Sequence, residues 1–418
     1  MPLKQARGSV RAACFLCLLS LAAISRCDVS AAAEKSIKAS VAVSEEYDDN
    51  IFLSRDDRVS DFITRAAPSI ALDYKAPWCD LTFRNTFYWW MYDERSKAYY
   101  SDYLNLASNF TLLKNYLYLD VADNYSNVIL EPRGPSTEAN LNVNRTDSNV
   151  LNVSPYFKYD LGPRSTLLTG YAYRYIWYRE NGIDRQQHKI FLELDHKFTP
   201  LAAFKAGAEY LADRPRDTEP SNDQEAVYGA ASYSFTPNIK ADGTAGYRWI
   251  SFSHSKTVSR PTYDVGLSYA LFEYGGAELR ASSSFSATPL DGVVQNIKQQ
   301  VGITYGMSAA SSVNAGFYHR EDKYFEVVRT DEVFGVTAGL NYAPTTRLGF
   351  QVSGVYEDDK YSPQDDRRTI WSVSTGLSYK ITPKVSLGIN YKYNSSSGEI
   401  EADNYVDNAV GIQLRAEL

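Results

Sequence analysis

Cysteine and methionine are scarce, with 4 and 3 residues in 418. No apolar stretch beyond Ile24 reaches the roughly 18 residues that a membrane-spanning helix needs. Three of the cysteines, Cys14, Cys17 and Cys27, precede residue 34, so the rest of the chain keeps only Cys79 and forms no internal disulfide. Cys14-Phe15-Leu16-Cys17 has CxxC spacing, but inside an apolar run with no following His it is neither a zinc knuckle nor a haem attachment site. A basic excess is also lacking: the formal charge is -7, and an acidic balance without a basic patch argues against nucleic acid. The histidines are four, His188, His196, His254 and His319. None begins an H-x-S-x-G segment, no Gly-x-Ser-x-Gly elbow occurs, and no metal spacing or phosphate loop is found. The sequence therefore predicts no enzyme, no cofactor and no catalytic or metal residues.

What is present begins with a secretory signal. Lys4, Arg7 and Arg11 form a basic n-region, Ala12 to Ile24 is an apolar run, and Ala31-Ala32-Ala33 offers a small-residue cleavage site. Residues 1–33 are expected to be a cleaved signal peptide and residues 34–418 the mature domain. Arg26 before Cys27 argues against a lipoprotein signal. Removing residues 1–33, with four basic side chains and one acidic, leaves the remainder at -10.

Beyond the signal the chain is rich in tyrosine, with 33, and alternates apolar and polar residues with a period of two. Leu81, Phe83, Phe87, Trp89 and Met91 interleave with Asp80, Thr82, Arg84, Thr86 and Tyr88. The pattern returns in Tyr263, Val265, Leu267, Tyr269 and Leu271, and again in Val385, Leu387, Ile389, Tyr391 and Tyr393. A strand with one face on lipid and one on water averages its faces away, so window hydropathy misses it. A repeat reinforces the pattern. Tyr159, His196, Tyr233, Tyr269, Tyr305, Tyr342 and Tyr379 recur at intervals of 36 or 37 residues, most of them just before a short turn such as Phe235-Thr236-Pro237-Asn238 or Ile381-Thr382-Pro383-Lys384.

One hairpin per period gives about ten hairpins and a transmembrane, up-and-down antiparallel β-barrel of about 20 strands, or 18 if the pair flanking Ser126 to Asn144 is misread. The other strand ends carry longer polar segments, among them Asp48 to Asp57, Ser126 to Asn144 and Asp358 to Arg368. Short turns on the periplasmic side and long loops outside are the pattern of bacterial outer-membrane barrels. Tyr269, Tyr305, Tyr342 and Tyr379 are expected in the inner aromatic girdle, and Trp89, Trp177, Trp249 and Trp371 in the outer. The implied surroundings are outer-membrane lipid and lipopolysaccharide, with insertion by the barrel-assembly machinery.

A barrel this wide leaves a water-filled lumen unless something blocks it. The first strand is expected within a few residues of Glu34, which leaves no room for an N-terminal plug; Ser126 to Asn144 is the longest candidate for an inward-folded loop. Alternation turns Asp73, Arg84, Arg174, Lys189, Glu193, Glu209, Asp242, Arg248, Asp264, Glu278 and Arg280 toward the lumen, with Arg248 expected to face Asp264. These read either as a selectivity lining or as cross-strand pairs that keep a polar interior satisfied. The loop carboxylates Asp48, Asp49, Asp56, Asp57 and Asp358, Asp359, Asp365, Asp366 lack EF-hand spacing and read as solvated acidic loops, with calcium as the other possibility.

Glu45-Glu46-Tyr47-Asp48-Asp49-Asn50-Ile51-Phe52, followed by Asp61-Phe62-Ile63 and Pro68-Ser69-Ile70, resembles the opening of the "β-barrel porin 2" group of outer-membrane barrels, including those associated with exopolysaccharide synthesis and exosortase systems. The resemblance implies a porin-like channel for polysaccharide export, with periplasmic export proteins as partners. The last strand alternates Val410, Ile412, Leu414, Ala416 and Leu418, and departs from many outer-membrane proteins in carrying no terminal Phe or Trp. Two other readings stay open: a structural or surface-interaction barrel with a closed lumen, and the barrel sheath of a porin-cytochrome electron-transfer complex.

Overall fold

A computed structural model describes residues 33–93, 97–137, 143–216, 220–253, 257–271 and 274–418. The segment expected to be a signal peptide, residues 1–33, lies outside the described residues apart from Ala33. The chain forms a meander of twenty antiparallel strands. The first five are β1 (Glu34–Asp48), β2 (Asp61–Ala76), β3 (Cys79–Tyr92), β4 (Lys97–Leu113) and β5 (Leu117–Ile129). Next come β6 (Arg145–Gly162), β7 (Ser165–Tyr178), β8 (Arg185–Thr199), β9 (Ala202–Pro215) and β10 (Asn222–Thr236). Then β11 (Ile239–Phe252), β12 (Val258–Leu271), β13 (Gly275–Ala287), β14 (Val293–Ser308) and β15 (Ser311–Tyr324) follow. The set ends with β16 (Thr330–Tyr342), β17 (Leu348–Ser362), β18 (Asp366–Thr382), β19 (Val385–Gly398) and β20 (Tyr405–Glu417).

β1 pairs with β20 from Ser40↔Glu417 to Asp48↔Ala409, so the sheet closes on itself and leaves no open edge. The strands around Ser126 to Asn144 are both present, and β5 and β6 pair from Leu117↔Phe157 to Ile129↔Arg145. That settles the count at twenty. Both ends of the described barrel lie on the short-turn side.

The short turns share a local device. The side-chain oxygen of Thr236 accepts from the backbone N–H of Asn238 and Ile239, at 3.2 and 3.1 Å. Thr345 does the same for Arg347 and Leu348, and Thr382 for Lys384 and Val385. A hydroxyl that satisfies the turn's own donors, beside a proline that pre-sets φ, reverses the chain in two residues, Pro237-Asn238 after Thr236 and Pro383-Lys384 after Thr382.

Outward positions carry the apolar residues in contiguous bands: Tyr247, Trp249, Val265, Leu267, Tyr269 and Leu279 are all exposed on three adjacent strands. From Trp249 to the level of Ile239, which pairs with Tyr269, the strand covers about ten residues, which at the tilt of such barrels spans roughly 25 Å of lipid. Tyr269, Tyr305, Tyr342 and Tyr379 lie exposed toward the short-turn ends of their strands, and Trp89, Trp249 and Trp371 toward the other. Trp177 is half-buried, with its ring 6.4 Å from that of Tyr125.

The strands, of 13 to 18 residues, exceed the 9–11 or so that cross a bilayer, and the surplus projects on the long-loop side. Much of what reads as loop in the sequence is therefore strand. Asp358 to Arg368, for example, belongs to β17 and β18 apart from residues 363–365.

Candidate functional site: a bridged mouth over a charged inner wall

Most of the buried residues sit at the long-loop end, on inward positions of the strand tops. There the inner wall of β2 and β3 contributes Ile63, Trp90 and Tyr92, packed on Ile51 from the β1–β2 connection. A second cluster joins Ile250 and Phe252 of β11 to Val293 of β14, with Phe285 and Phe325 against it. This contact requires the β13–β14 tip to leave its neighbour: β13 pairs with β12 only up to Ser283, and residues 284–287 peel away toward β11. The peeled tip reaches the β7–β8 connection, where Ile183 N–H donates to Pro289 O at 2.9 Å.

The β5–β6 connection meets this tip from the opposite side. Arg133 donates from Nε and Nη2 to Asp331 of β16, at 3.1 and 2.5 Å, and its guanidinium lies 4.6 Å from the centre of the Tyr361 ring. Arg368 of β18 donates to the carbonyl oxygens of Pro132 and Arg133, and Tyr405 of β20 to that of Ser136 at 3.2 Å. β5 and β16 are eleven strands apart in one direction and nine in the other, so residues 130–137 bridge opposite walls. Arg329, between β15 and β16, ties the two closing segments together: it pairs with Glu131 at 2.8 Å, Asp291 at 2.9 Å and Asp331 at 2.7 Å. Burial raises the Asp291 carboxyl above its ordinary range, against the lowering by Arg329.

The lumen expected to be open is crossed at this end by two inward-folded segments, and residues 130–137 belong to the segment the sequence offers as the inward loop. Arg133, Arg329, Asp331, Asp359 and Arg368 were not among the lumenal candidates, because no local pattern marks partners 198 residues apart in the chain.

The acidic segments are not simply solvated. Asp359 is 2 % exposed and pairs with Arg368 at 2.8 Å. Asp48 is likewise buried, and desolvation together with the nearby Asp407 carboxylate pushes its carboxyl up to about 8. Asp48, Asp49 and Asp407 each present an oxygen within 4.8 Å of the others, at the seam where β1 meets β20. Asn50 locks that corner, its side chain donating to Ser54 O and Val406 O. The Asp-Asp-Asn-Ile run of the opening segment is therefore a seam-closing turn.

The eleven lumenal candidates fall into distinct groups. Arg84 pairs with Asp73 at 2.6 Å near the short-turn end. Glu193 is held by Lys205 at 2.9 Å and by the Tyr228 hydroxyl. Lys189 meets Glu209 at 3.4 Å, and Arg248 binds the same carboxylate while donating to Gln224 Oε1 at 2.8 Å. Arg280 gathers the other acids: a two-point contact to Asp264 at 2.7 and 2.8 Å, Glu278 at 3.6 Å and Asp242 at 3.9 Å. The expected Arg248–Asp264 contact does not form, because the register sets Asp264 against Thr244, four residues from Arg248. Arg174 makes no hydrogen bond or ion pair among the described residues. It lines a cavity of about 490 Å³ together with Lys189, Glu209 and Arg248.

The described histidines have structural surroundings. His196 Nδ1 is 2.8 Å from Ser165 Oγ, His188 Nδ1 is 2.7 Å from the Tyr171 hydroxyl, and His319 Nδ1 is 3.2 Å from Gln299 Oε1. No nucleophile–base–acid arrangement forms around them. His254 lies outside the described residues.

Neither a family model nor a curated protein sequence matches the chain. Solved structures do match in fold. A ferric enterobactin receptor of Pseudomonas aeruginosa aligns with a TM-score of 0.55 at 9% identity, over 93% of this chain and 81% of that one. The siderophore receptor PirA of the same organism aligns at 0.51 and 11% identity, over 91% and 80%. The chain therefore has the fold of large outer-membrane barrels.

Proposed function

We propose that this chain is an outer-membrane transport barrel with a mouth that opens and closes, and that its cargo is exopolysaccharide. The observation that carries the transport reading is the nature of the closure. Ion pairs and two small apolar clusters, all contributed by strand tips and connections, tie the inward-folded segments across a ring of twenty strands whose inner wall carries paired charges. A closure of that kind can be released without breaking the barrel ladder, whereas a barrel filled along its length could not be.

The cargo follows from the resemblance of Glu45 to Phe52 to the exopolysaccharide-associated barrels. The inner wall suits a hydroxyl-rich polymer, since it offers amides and paired charges in place of apolar patches. The purified barrel should show gated conductance in planar bilayers, and deleting its gene should remove surface polysaccharide. Silent bilayers at every voltage, or unchanged polysaccharide, would overturn the respective half of the proposal.

The bridged mouth also supports a second reading, a surface-interaction barrel whose lumen stays shut. Under it the protein never conducts, while removal of residues 363–365 and their flanks abolishes binding to the matrix. The solved neighbours suggest another cargo, a ferric siderophore such as the enterobactin named for one of them. Uptake of labelled ferric enterobactin by cells that depend on this barrel would favour it over polysaccharide.

A further inference from the structure

We infer that the cavity beneath the inward-folded β13–β14 tip is a binding site for the acidic sugar residues of a polysaccharide, recognised through their carboxylates. The inference rests on the proposed polysaccharide cargo and names its chemical class.

The cavity is bounded on one side by the inner wall of β6 to β11 and on the other by the peeled tip. Its lining carries three cations, Arg174, Lys189 and Arg248, against two carboxylates, Glu209 and Asp213. One of those carboxylates is committed elsewhere: Asp213 pairs with Arg185 at 2.9 Å, both side chains being 1% exposed. Glu209 is shared by Lys189 and Arg248, which leaves one positive charge over, and Arg174 adds another. In a chain of net negative charge, this is a locally positive pocket.

Arg174 is the decisive residue. Every other cation in the lining has a carboxylate partner, whereas the planar donor fork of Arg174 has none among the described residues. The two residues directly opposite it in the sheet are neutral amides, Asn152 on β6 and Gln187 on β8. A guanidinium flanked by amides is suited to take a carboxylate by a two-point contact while the amides bind neighbouring hydroxyls. Arg248 keeps a further donor in reserve, its Nε being buried without a hydrogen-bond partner.

The test is calorimetric titration of the detergent-solubilised full chain with oligogalacturonate and, separately, with a neutral dextran oligomer of equal length. The acidic oligomer should bind, more weakly as salt rises, and the dextran at least tenfold more weakly. Arg174→Glu should reduce affinity for the acidic oligomer by tenfold or more, Arg174→Lys by less, and Arg164→Glu in the distant β6–β7 turn not at all. Equal binding of the two oligomers, or unchanged affinity in Arg174→Glu with the barrel shown to be folded by its heat-modifiable migration, overturns the inference. A barrel that binds oligogalacturonate but never conducts keeps this site and refutes export. One that conducts and exports polysaccharide but ignores oligogalacturonate does the reverse.

Discussion

Arg133 and Asp331 meet through two charge-assisted hydrogen bonds, at 3.1 and 2.5 Å, although the β5–β6 connection and β16 arise on opposite sides of a twenty-stranded ring. The contact holds a connecting segment across the mouth, and Asp331, 3% exposed, has exchanged its hydration for this guanidinium and that of Arg329. Burying a carboxylate is tolerated only while such partners remain.

Removing Arg133 should therefore shift the mouth toward an open state. A hydrogen bond to a charged group contributes about 1.5–3 kcal/mol, so Arg133→Ala should raise the open population by about tenfold to a hundredfold. Arg329→Ala, which removes contacts to three carboxylates, should do more. Single-channel recording of open probability is the measurement, and variants that stay as closed as the parent would refute the latch.

The Arg185–Asp213 pair tests a different consequence of burial. Arg185→Ala leaves Asp213 buried with, among the described residues, the Asn222 side chain to donate to it, at 3.2 Å, and should destabilise the barrel by about 3–5 kcal/mol. Replacing both partners, as Arg185→Met with Asp213→Leu, should restore most of that loss, because an apolar pair carries no desolvation penalty. Urea unfolding in lipid vesicles compares the three proteins. A double variant as unstable as the single one would show that the pair contributes more than its own neutralisation.

Asp48 gives the seam a pH dependence with a definite sign. Its folded carboxyl lies at about 8, against an ordinary value of 3.8, so between those limits the folded barrel binds more protons than the unfolded chain. Stability contributed here is complete below about pH 4, falls as pH rises to about 8, and then levels off. Asp48→Asn should flatten that slope. The midpoint of heat-modifiable gel migration, followed from pH 4 to 9, reads it directly, and a slope unchanged in the variant would assign the effect to another group.

The barrel was legible in the sequence because the lipid face enforces it. Val265, Leu267 and Tyr269 alternate with Asp264, Gly266 and Ser268, since every second side chain must be apolar over the whole hydrocarbon depth. The Thr-Pro turns then fix the hairpin length. The inner wall was legible as a set of residues but not as a set of partners. Choosing between Thr244 and Arg248 as the neighbour of Asp264 needs the register of β11 on β12, and the long connection joining those strands does not dictate it. The mouth was the least legible part. Arg329 selects Glu131 and Asp291 by proximity in the folded ring, and no periodicity along the chain encodes that meeting.

The two faces of β12 should respond in opposite ways to the same substitution. Val265 is 45% exposed on the outward face, near the middle of the band bounded by Trp249 and Tyr269. An arginine there must enter hydrocarbon, at a cost of about 2–4 kcal/mol near the midplane. Ser268, three residues on, turns inward and lies opposite Glu278 on β13. There an arginine stays in polar surroundings, with the Glu278 carboxylate opposite it on β13 and Lys240 opposite it on β11, so attraction and repulsion of about 0.2–1 kcal/mol each largely offset. Val265→Arg should therefore fold into vesicles poorly and Ser268→Arg about as well as the parent. Equal folding of the two variants would mean that the outward face of β12 does not meet lipid.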